Sequence, residues 1–227
     1  MGGHGLDFGG VPAALPFLWQ GLKVTLRITA VAIVAGIALG TVLALLRLSR
    51  RRALAAFAAA YVSLFRSLPL VMVLLWFFLV VPAAVESLLG LPRHADLRLA
   101  SATLAFALFE AAYFAEIVRA GIQSVPAGQL SAALALGLTR GQAMRRVVLP
   151  QAFRNMTPLL LTQCVILFQD TSLVYVSALA DFFGAAYKVG ERDGRLVEMI
   201  LLAGAVYLVL SSAGSLLVHA TRRRLAA

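Results

Sequence analysis

Residues 121–150 read GIQSVPAGQLSAALALGLTRGQAMRRVVLP and lie between two apolar runs at 99–119 and 155–178. A connection between neighbouring helices usually needs roughly 2–8 residues, and a long one with no structure of its own is uncommon. This one has the composition of an ordered segment. Pro126 and Gly128 punctuate its start, residues 129–136 are rich in helix formers, and Gly137 stands where a helix would stop. Residues 141–149 resume a helical pattern ahead of Pro150. The stretch predicts a short helix over 129–138, a turn, and a second short helix. Leu130, Ala133, Leu134 and Leu138 interleave with polar residues, which suits either a bilayer surface or a groove in another protein.

Outward from this loop the chain becomes more apolar. Hydrophobic residues make up 61% of its 227 positions and charged ones 13%, too apolar for an ordinary water-soluble domain. A helix crossing the hydrocarbon core needs roughly 20 mainly apolar residues. Five stretches meet that need, at 22–46, 59–82, 99–119, 155–178 and 199–218. They predict an all-α polytopic membrane protein, one transmembrane domain over 1–227, whose third connection is the ordered loop 120–154. The third stretch contains Glu110 and Glu116 and the fourth Asp170, so those helices are expected to face protein or water.

The net charge of +10 gathers beside the apolar runs, a pattern of membrane topology and not of nucleic-acid binding. Arg47, Arg50, Arg51 and Arg52 follow the first run; Arg119, Arg140, Arg145, Arg146 and Arg154 flank or lie within the long loop; Arg222, Arg223 and Arg224 close the chain. None of these regions holds an acidic residue. The alternate connections mix Glu86, Asp96, Asp181, Glu191, Asp193 and Glu198 with Arg93, Arg98, Lys188, Arg192 and Arg195. Because Lys and Arg are retained on the cytoplasmic side, the N-terminus is expected outside and the C-terminus inside. Residues 1–16, rich in Gly and Pro, read as a short irregular or amphipathic lead-in without the pattern of a cleavable signal peptide.

Catalytic and metal chemistry find little support. Cys164 is the single cysteine, and His4, His94 and His219 lie outside the apolar runs or at an end. No phosphate-binding Gly-x-x-x-x-Gly-Lys-Ser/Thr loop is present, and no inverted repeat of the kind seen in secondary transporters. The polar residues inside the runs carry more information, since a charge near the bilayer centre costs at least ~2.5–3.5 kcal/mol and needs a partner or a watery cavity. Counted along straight helices, Asp170 lies about 21 Å and Arg66 about 13 Å from the cytosolic surface. Gln169, Asp170, Thr171 and Ser172, with Arg66 and Ser67 ahead of a kink at Pro69, are therefore the candidate lining of a translocation path. A carboxylate such as Asp170 accepts hydrogen bonds from an ammonium, and a guanidinium such as Arg66 clasps a carboxylate. The competing expectation is a structural pair of Arg66 with Asp170 or Glu110. Glu110 and Glu116 are expected to stabilise packing and the approach to the loop through nearby arginines.

Ser131-Ala-Ala-Leu-Ala-Leu-Gly137, nine residues, then Val147-Val-Leu149-Pro150 resembles the cytoplasmic loop of ABC-importer permeases. There the pattern runs Glu-Ala-Ala, three residues, Gly, nine residues, Ile, one residue, Leu-Pro. The resemblance widens over nearly the whole chain to polar-amino-acid permeases. Its carriers are Gly21-Leu-Lys-Val-Thr-Leu26, Arg66-Ser-Leu-Pro69, Phe109-Glu-Ala-Ala-Tyr-Phe-Ala-Glu-Ile-Val-Arg119 and Leu149-Pro-Gln-Ala-Phe-Arg154. Leu167-Phe-Gln-Asp-Thr-Ser-Leu-Val-Tyr175, Asp181-Phe-Phe-Gly184 and Glu191-Arg-Asp-Gly-Arg-Leu-Val-Glu198-Met199 are similar to the glutamate/aspartate transport subgroup. The resemblance implies a non-catalytic subunit of an importer in the bacterial inner membrane. It pairs with itself or a sister permease, receives an amino acid from an extracytoplasmic solute-binding protein, and docks two cytosolic ATPases that bind the ATP and magnesium. It places the coupling contacts at Gln129, Ser131, Ala132, Ala133, Leu136, Gly137, Leu149 and Pro150. Ser131 stands where the family usually has Glu, which removes a partly exposed ion pair worth ~0–1 kcal/mol.

Overall fold

The computed structural model describes residues 6–89 and 97–226, and every regular element among them is helical. In chain order these are α1 (Val11–Arg47), α2 (Arg52–Arg66), α3 (Leu70–Leu89), α4 (Arg98–Gln123), α5 (Ala127–Ala135), α6 (Arg140–Ala143), α7 (Leu149–Asp170), α8 (Phe182–Asp193) and α9 (Leu196–Ala226). A π turn, Met144–Val148, joins α6 to α7, and a 3₁₀ segment, Thr171–Ser177, prolongs α7. His4, Arg93, His94, Asp96 and the side chain of Glu86 lie outside the described residues.

Four helical runs are long and apolar enough to cross a membrane: Val11–Arg47, Arg98–Gln123, Arg140–Ser177 and Leu196–Arg224. A fifth would need α2 and α3 together, and these are bent from one another by 100°. The kink expected at Pro69 is thus a full break. Pro69 cannot donate a backbone hydrogen bond and disfavours helical geometry at Leu68, while Ser67 caps α2 through its N–H to the carbonyls of Ser63 and Leu64.

One expectation is narrowed, and one connection holds a further helix. The lead-in is helical from Val11, because Pro12 falls in the first turn, where N–H groups lack intrahelical partners anyway, and Pro16 is accommodated inside α1. The connection after Ala178 contains a helix of its own, α8, whose N-terminal N–H groups on Phe183 and Gly184 are accepted by the Asp181 carboxylate at 3.1 and 3.0 Å.

The chain divides into two compact units, and each long helix contributes to both. The first comprises Met1–Ala32, Pro69–Phe106 and Val165–Gly214. Its core packs Ala14 and Leu18 of α1 on Phe182, Ala185, Ala186 and Val189 of α8 and on Met199 and Ala203 of α9. The spacing along α8 follows one helical face, while Phe183 and Tyr187 beside it meet the Tyr175 ring. The second unit comprises Ile33–Leu68, Ala107–Cys164 and Ser215–Ala227. Here Ala58 and Val62 of α2 pack on Leu43 of α1 and on Ala111, Ala112 and Ala115 of α4. Small residues bring these backbones close: a Cβ on Gly40 would stand 2.7 Å from the Phe114 Cβ and 2.9 Å from the Ala111 carbonyl.

Candidate coupling helix and polar pathway residues

The roots of the long loop are fixed in the second unit. Val118 near the end of α4, Met156 in α7 and Ala44 in α1 form one buried cluster, and the Asn155 amide donates to Ser124 Oγ at 2.8 Å. From these roots α5 runs over Ala127–Ala135, slightly earlier than the 129–138 read from sequence. Its end explains Gly137. The Gly137 N–H reaches the Leu134 carbonyl at 3.0 Å and the Leu138 N–H the Ala133 carbonyl at 3.2 Å, with Gly137 at φ +83°. That is a Schellman closure, in which the left-handed position favours glycine over any residue with a Cβ. Thr139 then caps α6: it accepts from the Gln142 N–H, and its own N–H donates to Gln142 Oε1 at 2.9 Å.

Ala133 is buried against the rest of the loop, whereas Leu134 and Leu136 face outward, Leu136 at 83% exposure. Gln129, Ser131, Ala132 and Gly137 are also exposed. The Ser131 hydroxyl donates back to the Ala127 carbonyl at 3.3 Å, so where the usual motif offers a carboxylate this helix offers a neutral surface. Leu149 and Pro150 open α7, and Gln151 of its first turn donates to the Val147 carbonyl at 3.0 Å and stands 3.4 Å from Gln129 Oε1. The sequence-predicted coupling residues are thereby gathered on α5, its cap and the start of α7.

The pathway candidates divide between the units. Gln169 and Asp170 end α7, and Thr171 and Ser172 begin the 3₁₀ segment, all in the first unit. Gln169 is exposed, Asp170 and Ser172 are half-buried, and Thr171 is buried with its hydroxyl donating to the Phe168 carbonyl at 2.6 Å. Thr171 therefore spends its donor on its own chain. No proline or glycine near Asp170 signals the tightening of the helix there. The segment ends at Ala178, whose left-handed φ of +56° places its carbonyl 3.3 Å from an Arg98 guanidinium nitrogen.

Arg66 and Ser67 belong to the second unit. Ser67 Oγ donates to the Ser63 carbonyl at 2.7 Å. The carboxylate that Arg66 faces is Glu116, at 3.8 Å. Glu116 also accepts from Arg47 Nη1 at 2.5 Å and from Arg119 Nε at 2.7 Å. Arg47 is the last residue of α1, and Arg119 stands one turn before the end of α4. Arg66, the last residue of α2, thus stands beside the end of α1 and the later turns of α4. The buried Glu110 of α4 accepts from the Gln163 amide of α7 at 3.0 Å. Glu116 and Arg119 stand at i,i+3 and can be paired from spacing, whereas the contacts of Glu116 with Arg47 and Arg66 depend on how α1, α2 and α4 converge.

Between the candidate pathway and α8, Asp181 is fully buried. Burial raises its carboxyl to about 6, opposed by the N–H groups of Gly184 and Phe183 that favour the charged form. Among the described residues no three His, Cys, Asp or Glu side chains gather as metal ligands would.

Comparison with known proteins adds the following. Residues 36–227 match the family described as "Binding-protein-dependent transport system inner membrane component". The chain is 59% identical, over 97% of its length and 98% of the relative's, to the glutamate/aspartate import permease protein GltK of Escherichia coli O6:H1. It is 31% identical, over 87% of its length and 82% of the relative's, to the glutamate/aspartate import permease protein GltJ of Escherichia coli K12. A solved amino acid ABC transporter, described as crystallised with histidines, matches with a TM-score of 0.86 at 30% identity, covering 97% of this chain and 99% of that one.

Proposed function

The chain belongs to the binding-protein-dependent transport system inner membrane components, and on that premise we propose that its cargo is glutamate and aspartate. It is a non-catalytic permease subunit of an ABC amino-acid importer. The single observation that carries the acidic cargo is the 59% identity to GltK over 97% of the chain. Another polar amino acid, such as glutamine or a basic one, is the second reading within the same role.

The finer architecture follows from charge and packing. α2 and α3 form the second of five crossings, bent at Ser67–Pro69, with the N-terminus outside and the C-terminus in the cytosol of a bacterial cell. The arginines that close α1 and α9 support this sidedness. The whole chain acts as one transmembrane domain. On the cytosolic side α5 seats in one of two ATPases: Leu134 and Leu136 supply an apolar knob, and Ala132, Ser131 and Gln129 supply a neutral rim. Gly137 closes α5, Leu149 and Pro150 open α7, and Gln129 of α5 accepts from Gln151 of α7, so displacement of α5 is passed to the helix that carries Gln169 and Asp170. ATP and magnesium belong to the ATPases. The unequal identities to GltK and GltJ support a heterodimer with a GltJ-like sister over a pair of identical copies. A solute-binding protein delivers cargo at the outer face, and the path is lined by Gln169, Asp170, Thr171, Ser172, Arg66 and Ser67.

Competition decides the cargo. ATP-driven uptake of labelled glutamate by the reconstituted importer should be suppressed by aspartate and unaffected by equal arginine. Suppression by arginine or glutamine, with aspartate inert, would replace the acidic assignment.

A further inference from the structure

Three guanidiniums share Glu116 in the second unit, and they hold it unequally. Arg47 and Arg119 take different oxygens of the carboxylate at 2.5 and 2.7 Å, both true hydrogen bonds. Arg66 Nη1 stands 3.8 Å from Oε1, the oxygen already engaged by Arg47. That is an ionic contact without a hydrogen bond. The Arg66 side chain is 46% exposed, against 28% for Arg47 and 26% for Arg119. Its guanidinium carbon rests 5.5 Å from the centroid of the Tyr113 ring, within reach of a cation–π attraction. The group is held by an ion pair beyond hydrogen-bond length and by the face of a ring.

A guanidinium is best satisfied by two parallel hydrogen bonds to one carboxylate, and Arg66 lacks that arrangement here. We propose that Glu116 and the Tyr113 ring park Arg66 between transport events and release it to the side-chain or α-carboxylate of an acidic cargo. When the cargo moves on toward the cytosol, Glu116 takes the guanidinium back. The exchange leaves no bare carboxylate at either stage, since Glu116 keeps Arg47 and Arg119 throughout. Glu116 is thus a positioning residue: it competes with the cargo for Arg66 and never touches the cargo itself. The inference rests on Arg66 facing the cargo path, as proposed above.

Equilibrium binding of labelled glutamate to the assembled permease–ATPase complex, without the solute-binding protein, separates these ideas. Glu116→Gln removes the competing charge, and Tyr113→Leu removes the ring while leaving Glu116, Arg47 and Arg119 in place. Both should tighten glutamate binding, Glu116→Gln by about fivefold, the lower end of ordinary coupling between linked equilibria. Neither should have any effect in an Arg66→Gln background. The Tyr113→Leu arm stands even where Glu116→Gln does not assemble. Weaker binding in Arg66→Gln, with binding unchanged or weaker in the assembled members of the other pair, overturns the parking of Arg66 while sparing its cargo role. Unchanged binding in Arg66→Gln removes the cargo role and the parking with it.

Discussion

Asp181 couples acidity to structure. Its carboxyl is raised from 3.8 to about 6, chiefly by burial, so between those values the folded protein binds the proton and the unfolded chain does not. The contribution to stability is full below about 3.8 and is lost as the pH rises through about 6, by roughly 3 kcal/mol at 1.36 kcal/mol per pKa unit. The purified protein should therefore melt at a higher temperature at pH 5 than at pH 7.5, and Asp181→Asn, which keeps an acceptor for the α8 N–H groups, should flatten that difference. An equal pH dependence in the variant would remove Asp181 as its source. At this scale the sequence is a poor guide to partnership. It places Glu116 and Arg119 at i,i+3 within reach of one another, but only the convergence of α1, α2 and α4 adds Arg47 and Arg66 to that pair.

Elements were legible where local chemistry and fold agree. The α5–turn–α6 unit could be read because Gly137 and Thr139 are strong local signals, and both act in the structure as caps. The same kind of signal stands at α8: Asp181 ahead of Phe182, Ala185, Ala186 and Val189 at helical spacing, with Gly194 at φ +65° as the stop. The start of α1 was hidden by Pro12 and Pro16, which mimic a loop although the first turn of a helix tolerates proline. The α2–α3 break had a visible cause in Pro69, but its 100° angle depends on packing and not on the proline alone. The caps have measurable weight. Thr139→Ala should cost about 1 kcal/mol of α6 stability and speed amide exchange over 140–143 by roughly fivefold. Unaltered exchange there would mean that tertiary packing alone holds the turn.

At the scale of the molecule, composition and charge asymmetry specify a helical membrane protein, and the spaced loop motif specifies its kind; both agree with the family match over 36–227 and the 0.86 TM-score. Cargo is less legible, because the candidate path residues are few and divide between two units. The proposed coupling runs through one short helix, α5, whose C-terminus is closed by Gly137. A branched side chain there must adopt the left-handed conformation, at a cost of roughly 1–2 kcal/mol, or unwind the cap. The most direct measurement is the uptake of labelled glutamate into proteoliposomes holding the permease, its ATPases and the binding protein, with ATP supplied on the α5 side, for the wild type and Gly137→Val. Accumulation that requires ATP and falls at least tenfold in a Gly137→Val complex that still inserts and assembles is the predicted result; accumulation without ATP, or undiminished in Gly137→Val, would refute coupling through α5.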